Sequence, residues 1–97
     1  MNPLVAIQEH LAEFRALGAR RIGVFGSFVR GDAREGSDVD VYVEFDDRQR
    51  TYDNLFALHE RLETLFGRPV DLVTDRSLTE TQARLILPTV RYASVHG

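Results

Sequence analysis

The stretch that decides the fold is residues 22–45, IGVFGSFVRGDAREGSDVDVYVEF. It contains an apolar strand, a Gly26-Ser27 turn, a polar connection and a second apolar strand. Side chains alternate between the two faces of a strand, so the second strand is predicted to have one apolar and one polar face. The apolar face carries Val39, Val41, Val43 and Phe45. The polar face carries Asp38, Asp40, Tyr42 and Glu44.

Asp38 and Asp40 are candidate metal ligands. They stand two positions apart on one face, so their Cβ atoms should lie roughly 7 Å apart, or two strand steps of about 3.3 Å. Carboxylate oxygens at that separation can converge on two metal ions held about 3.5–4 Å apart. Hard oxygen ligands of this kind suit Mg²⁺, which combines a few carboxylates with substrate phosphates. The pair therefore predicts a site for two Mg²⁺ ions.

The turn before the polar connection is a candidate phosphate site. Gly26 leaves room for a ligand close to the backbone, and Ser27 to Arg30 is predicted to form a helical turn whose free N–H groups face an anion. Ser27 can also be interpreted as a helix N-cap, and both roles can hold because a phosphate would bind at that position. Arg30 lies one turn further on and is a candidate triphosphate ligand. We therefore predict that Gly26, Ser27 and Arg30 bind nucleotide.

A third acid follows in the strand predicted at residues 69–73. Asp71 lies between Val70 and Leu72, although aspartate is depleted in strands. It is either a surface acid beside a turn or a further ligand. Tyr42 also has two open roles, one bordering the nucleotide and one in packing.

These motifs resemble those of a known superfamily. Gly-Ser, ten intervening residues and Asp-x-Asp resemble the signature of the polymerase-β-like nucleotidyltransferases. The segments FGSFVRG and SDVDVYVEF resemble its smallest branch, the minimal nucleotidyltransferases (MNT) of prokaryotic HEPN/MNT toxin–antitoxin pairs. VDLV at residues 70–73 stands where that family carries its third carboxylate. The resemblance therefore implies that Asp71 joins Asp38 and Asp40 in the catalytic, metal-binding set.

The resemblance also implies an activity. A protein of this family moves AMP from ATP, with Mg²⁺ as cofactor, to a hydroxyl. The acceptor implied here is a tyrosine of a partner HEPN ribonuclease toxin, which the chain silences as its antitoxin. In that scheme Asp71 completes the shell of one metal and accepts the proton of the attacking hydroxyl. The implied fold is a palm-like catalytic core of α/β (α+β) type.

Two other functions stay open. The chain could be a binding module that masks its partner by contact, with little or no catalysis. It could also modify a small molecule such as an antibiotic. Relatives with that activity usually carry additional substrate-binding sequence, which this chain lacks.

Composition sets the remaining expectations. With 97 residues, the chain is predicted to form a single minimal nucleotidyltransferase domain over residues 1–97. A net charge of −3 argues against general nucleic-acid binding. The chain has no cysteine, no apolar run of about 18 residues and no basic segment before an apolar one at its start. We therefore expect a cytoplasmic protein that does not enter a membrane, and its homo- or hetero-oligomeric state stays open.

The rest of the chain predicts an α+β sandwich with a mixed sheet and helices packed on one side. Helices are predicted at 3–17, capped by Asn2, at 51–66, and near 78–87, capped by Ser77. The strands are expected at 20–26, 38–45 and 69–73, and VRYASV at 90–95 is either an edge strand or a tail. The helix at 51–66 carries an apolar stripe: Tyr52, Leu55, Phe56, Leu58, Leu62, Leu65 and Phe66. His10 and His59 are interpreted as structural.

Overall fold

The computed structural model describes residues 2–94. Its helices are α1 (Pro3–Glu9), α2 (Leu11–Ala16), α3 (Ser27–Arg30), α4 (Tyr52–Phe66) and α5 (Glu80–Ile86). Its strands are β1 (Ala19–Phe25), β2 (Val39–Phe45), β3 (Val70–Thr74) and β4 (Arg91–Tyr92). Short 3-10 helices occupy Asp47–Gln49 and Leu87–Thr89. The predicted order of helices and strands is confirmed except that the first helix is two helices. Of the two interpretations left open for residues 90–95, the edge strand applies and is β4, while Val95 lies outside the described residues.

The four strands form one sheet in the order β3-β2-β1-β4. β1 is antiparallel to β2 and to β4, whereas β2 and β3 are parallel. The parallel pair requires a crossover, which α4 supplies because it lies between β2 and β3 in the chain. The predicted α+β fold with a mixed sheet is therefore confirmed.

The core lies on one face of this sheet. Val39, Val41 and Val43 are fully buried there, as the alternation in β2 predicts. Three helices cover them and contribute buried side chains to the same cluster: Ile7 from α1, Leu11 and Phe14 from α2, and Leu58, Leu62 and Phe66 from α4. The apolar face is thus taken up by helices, and the opposite face is left to the acids of β2 and β3.

The prediction of a single helix at residues 3–17 is wrong, because the chain forms two helices that meet at His10. The Asn2 side chain caps α1 as predicted and accepts hydrogen bonds from the N–H groups of Leu4 and Val5 at 3.1 and 3.3 Å. At His10 the backbone departs from helical geometry (φ −118°, ψ 19°), and its N–H bonds to Ile7 O, three residues back. Helical periodicity does not reveal such a break, because Leu11 and Phe14 return to the same buried face.

Two further boundaries differ from the sequence-based predictions. The last helix is capped by Thr79 and not by Ser77, because Thr79 and Gln82 form a reciprocal capping box. Ser77 instead closes the turn after β3, where its Oγ accepts from Thr74 N at 2.9 Å. Asp38 precedes β2 and does not lie in it, since the strand begins at Val39.

The apolar stripe predicted on the helix at 51–66 is wrong at two positions. Leu58, Leu62 and Phe66 are buried, but Tyr52 and Phe56 are 90% and 65% exposed. These two residues lie one turn apart on the outer side of α4. None of the helices in residues 2–94 has the length and apolar content needed to cross a membrane.

A partly buried ion pair joins the loop after β2 to the end of β3. Arg50 donates from Nη1 and Nη2 to the two carboxylate oxygens of Asp75, both at 2.9 Å, and from Nη2 to Phe45 O at 3.3 Å. Burial raises the pKa of Asp75, but the hydrogen bonds and the charge of Arg50 outweigh burial and lower it overall. A lowered carboxyl pKa means that the ionised form stabilises the fold.

We expect Asp75→Asn to lower the free energy of unfolding at pH 7 by about 2 kcal/mol, because it removes one charge of a hydrogen-bonded pair. The difference should be fully present above the ordinary aspartate pKa of about 3.9 and should disappear as the pH falls through the lower folded-state pKa. Urea unfolding at several pH values measures this. Asp47→Asn, at an exposed acid, is the control and should cost less than about 1 kcal/mol. Identical pH profiles for Asp75→Asn and the wild type would contradict the assignment.

Candidate functional site

The acids of β2 and β3 meet on the open face of the sheet. Asp40 stands directly opposite Asp71 in the parallel register of the two strands. Residues opposite each other share a face, so both carboxylates point away from the helix-covered core. Asp38 lies two residues before Asp40, at the entrance to β2. The structure therefore places Asp40 and Asp71 side by side, with Asp38 at the start of β2.

The pKa of Asp40 is raised above its ordinary value. Burial raises it most, followed by the negative charges of Asp71 and then Asp38, while the positive charge of Arg30 opposes them. Like charges held together without a counter-ion raise a carboxyl pKa in this way, and a bound cation would reverse the effect.

Gly26 sits against Asp40 and has no room for a side chain. A Cβ atom at this position would lie 2.0 Å from Asp40 Oδ2 and 2.9 Å from Asp40 Cγ. Its backbone (φ 74°, ψ −147°) lies in a region that is essentially restricted to glycine. Gly26 therefore lets the β1–α3 turn approach Asp40 closely.

Ser27 is not the N-cap of the helical turn, and that interpretation was wrong. Gly26 occupies the cap position, and Ser27 is the first residue of α3. The first internal bond of α3 runs from Val29 N to Gly26 O at 3.0 Å, so the N–H groups of Ser27 and Phe28 precede the bonded part of the helix. These two N–H groups remain candidates for binding a phosphate.

Arg30 lies at the end of α3, on the exposed rim of the acid cluster. Its charge reaches Asp40, because it lowers the pKa of that carboxyl. Its Nε also donates to Asp32 Oδ2 at 3.3 Å, so part of the guanidinium is already engaged. Arg30 is thus close enough to the acids to contact a ligand that the acids also bind.

A cavity of about 320 Å³ opens between these residues and α5. Its walls are Phe25, Gly26, Val29, Arg30, Asp40, Leu85, Ile86 and Thr89. Sequence reasoning missed the contribution of α5, because a leucine and an isoleucine in an amphipathic helix are normally read as core. Only the exposure of Leu85, at 71%, distinguishes it from a core residue.

A second cavity, of about 420 Å³, lies on the other side of the acids, between β3 and α4. Asp71 and Leu72 line it together with the exposed Tyr52 and Phe56. Its floor is fixed by His59, whose Nε2 lies 2.8 Å from Val70 O, and by Glu63, which accepts from Val70 N at 2.9 Å. His59 therefore has the structural role that the sequence predicts.

Tyr42 packs, although it shares the polar face. Its side chain is 2% exposed, and its ring meets Tyr92 edge to face at a centroid distance of 6.3 Å. Its hydroxyl donates to Glu44 Oε2 at 3.2 Å, and burial raises its pKa. These contacts agree with the packing role for Tyr42.

The donors fit a hard divalent cation. Asp38, Asp40 and Asp71 offer carboxylate oxygens only, which is the chemistry that Mg²⁺ selects. Within residues 2–94, no three His, Cys, Asp or Glu side chains already converge as a metal-binding group. The fit is therefore one of donor type and charge.

This combination of a mixed palm-like sheet, a glycine turn and paired acids defines a class of nucleotide-transferring domains. The family model for the nucleotidyltransferase domain matches residues 7–92. Protein adenylyltransferase MntA of Thermococcus cleftensis is 45% identical over 84 residues, which cover 86% of this chain and 84% of that protein.

Solved structures agree with the sequence relatives. A structure described provisionally as a minimal nucleotidyltransferase superposes with a TM-score of 0.81 at 37% identity and covers 94% of this chain and 95% of its own. A tri-AMPylated HEPN toxin of Shewanella oneidensis in complex with MNT antitoxin gives a TM-score of 0.65 at 18% identity, over 96% of this chain and 73% of that one. The second match shows the fold alone.

The chain belongs to the nucleotidyltransferase family, in its minimal MNT branch. It is thus an enzyme of the nucleotidyltransferase class, as the sequence predicts.

Proposed function

We propose that the chain transfers AMP from ATP to a hydroxyl of a partner protein, with Mg²⁺ at Asp38, Asp40 and Asp71. The single observation that carries this proposal is the register of Asp40 opposite Asp71 beside Gly26, because it brings a negative cluster into close contact with the glycine turn before α3. The 45% identity to a named protein adenylyltransferase supports AMP as the transferred group and a protein as the acceptor.

Each residue has a role in the step. Gly26, Ser27 and Arg30 hold the triphosphate so that its α-phosphorus faces the acceptor. The acceptor oxygen bonds to that phosphorus, the bond to the leaving pyrophosphate breaks, and Asp71 takes the hydroxyl proton. Two Mg²⁺ ions, when bound, would favour the ionised hydroxyl and neutralise charge on the triphosphate and the leaving pyrophosphate.

The acceptor we propose is a tyrosine of a HEPN ribonuclease toxin, which the chain silences as its antitoxin. The likeness to a chain of a HEPN–MNT complex whose toxin is tri-AMPylated supports this choice. The cavity between β3 and α4 is consistent with a protein acceptor, because it borders Asp71 and carries two exposed aromatic side chains. Exposed aromatic residues are typical of protein-binding surfaces.

The proposal is tested with α-³²P-labelled ATP, Mg²⁺, the purified chain and a HEPN-domain protein encoded beside it. We expect labelled AMP on a tyrosine of the partner. Asp71→Asn should retain most of the affinity for Mg²⁺–ATP and mainly lower kcat, because proton acceptance is needed only in the transition state. Nucleotide affinity measured by calorimetry separates the two effects.

The same variant distinguishes catalysis from masking. In cells that express the toxin, Asp71→Asn should bind the toxin but fail to protect. Glu60→Gln, at an exposed position of α4 outside both the acid cluster and the cavity beside Asp71, is the matched control and should protect. Protection by Asp71→Asn equal to that of the wild type would show that contact alone silences the toxin.

A further inference from the structure

The cavity of about 320 Å³ has walls of two chemical kinds. Gly26, Arg30 and Asp40 make one part polar, and these are residues of the nucleotide and metal site proposed above. Leu85 and Ile86 of α5, with Val29 of α3, make another part apolar. A nucleotide has the same division, because its triphosphate is charged and its base is a flat, largely apolar ring.

The helix that carries the apolar wall is capped at both ends but left uncovered. The Thr79–Gln82 capping box stabilises the start of α5, and Thr89 Oγ1 donates to Ile86 O at 2.7 Å at its other end. No residue of α5 is buried, and Leu85 is 71% exposed. A defined helix that presents leucine and isoleucine to a cavity beside the catalytic acids is suited to a ligand that covers them.

We propose that Leu85 and Ile86 form the wall against which the base of the donor nucleotide packs. This inference rests on the proposed function and adds the residues that hold the nucleoside end. The cavity is near the lower limit for small-molecule sites, about 300 Å³, so it suits a nucleoside and not a folded acceptor. The larger cavity beside Asp71 remains available to the acceptor.

This wall is proposed to contact the base through apolar side chains, without hydrogen bonds to the polar atoms at the edge of the base. The side chains of Val29, Leu85 and Ile86 have no polar atoms, and the hydroxyl of Thr89 donates its one proton to Ile86 O, so it can only accept a further hydrogen bond. Apolar contact discriminates weakly between rings of similar size, whereas hydrogen bonding to an edge discriminates strongly. Adenine and guanine should therefore gain equally from Leu85.

Calorimetric titrations of the full chain with ATP, GTP and inorganic tripolyphosphate, each with Mg²⁺, test the inference. Leu85→Ala should raise the Kd for ATP and for GTP by the same factor, about fivefold, because apolar contact with the ring is lost. Its Kd for tripolyphosphate should not change, since that probe has no base. Val5→Ala, at an exposed apolar residue of α1 that lines neither cavity, is the matched control and should leave all three Kd values unchanged.

Several results would overturn the inference. One is an unchanged Kd for ATP in Leu85→Ala, and another is a parallel loss of tripolyphosphate affinity, which would mean that the substitution disturbs the phosphate site. A rise for ATP but not for GTP would also contradict it, because the wall would then read the base edge. The proposed function fails separately, if nucleotide binding depends on Leu85 as expected but no AMP reaches a partner protein.

Discussion

The double variant Asp38→Asn/Asp40→Asn is expected to lose AMP transfer, with kcat lowered on the order of 10³-fold or more, while it keeps its fold. Both carboxylates are proposed to hold the cations that neutralise the triphosphate, and amide groups bring no negative charge to replace them. The labelled transfer assay measures the loss. Binding of Mn²⁺, followed by electron paramagnetic resonance, gives a readout that does not depend on turnover and should weaken in parallel.

The stability of the same variant has a predicted sign. The pKa of Asp40 is raised by burial and by the charges of Asp71 and Asp38, so its ionised form opposes folding at neutral pH. Removing two of the three negative charges should therefore leave the melting temperature equal or higher. The control is Asp53→Asn/Glu60→Gln, which removes two charges from exposed positions on α4 and should retain full activity. Transfer that survives in Asp38→Asn/Asp40→Asn would exclude these acids as ligands.

The polar and apolar faces of β2 could be predicted because a strand has a period of two and β2 has no break. Val39, Val41 and Val43 are fully buried, and Asp40 faces the other way. The position of Asp71 depended on the resemblance, since sequence alone does not say that β3 lies parallel to β2 with Asp71 opposite Asp40. Local patterning thus gave the faces, and pairing between distant strands completed the site.

Other features of the structure could not be predicted from the sequence, because they depend on which side of a helix packs against the rest of the chain and on contacts between distant residues. Tyr52 and Phe56 fit the helical stripe as well as Leu58 does, yet α4 turns them outward. Leu85 is 71% exposed, and no residue of α5 is buried. Arg50 and Asp75 are 25 residues apart, and no sequence pattern predicts that they form an ion pair.

Gly26→Ala should impair stability and activity together, and more severely than alanine at the open, positive-φ position of Gly31. The added methyl would lie 2.0 Å from Asp40 Oδ2, on a backbone conformation that alanine rarely adopts. To relieve the contact, the β1–α3 turn or Asp40 must move, and each of these is part of the proposed site. We expect a fall in kcat/KM of at least about 100-fold, because misplacement by about 1 Å can have an effect of that size.

Two further variants separate the contact from the backbone strain. Gly31→Ala also places alanine at positive φ (86°), but its Cβ would meet nothing within 4 Å, so it reports the effect of a left-handed residue alone, about 1–2 kcal/mol. Gly26→Ala/Asp40→Ala removes the atoms that clash and should recover part of the lost stability without recovering activity. Urea unfolding and the transfer assay on all three proteins provide the comparison. If Gly26→Ala were no less stable than Gly31→Ala and kept its activity, the close approach of the turn to Asp40 would have no role in the site.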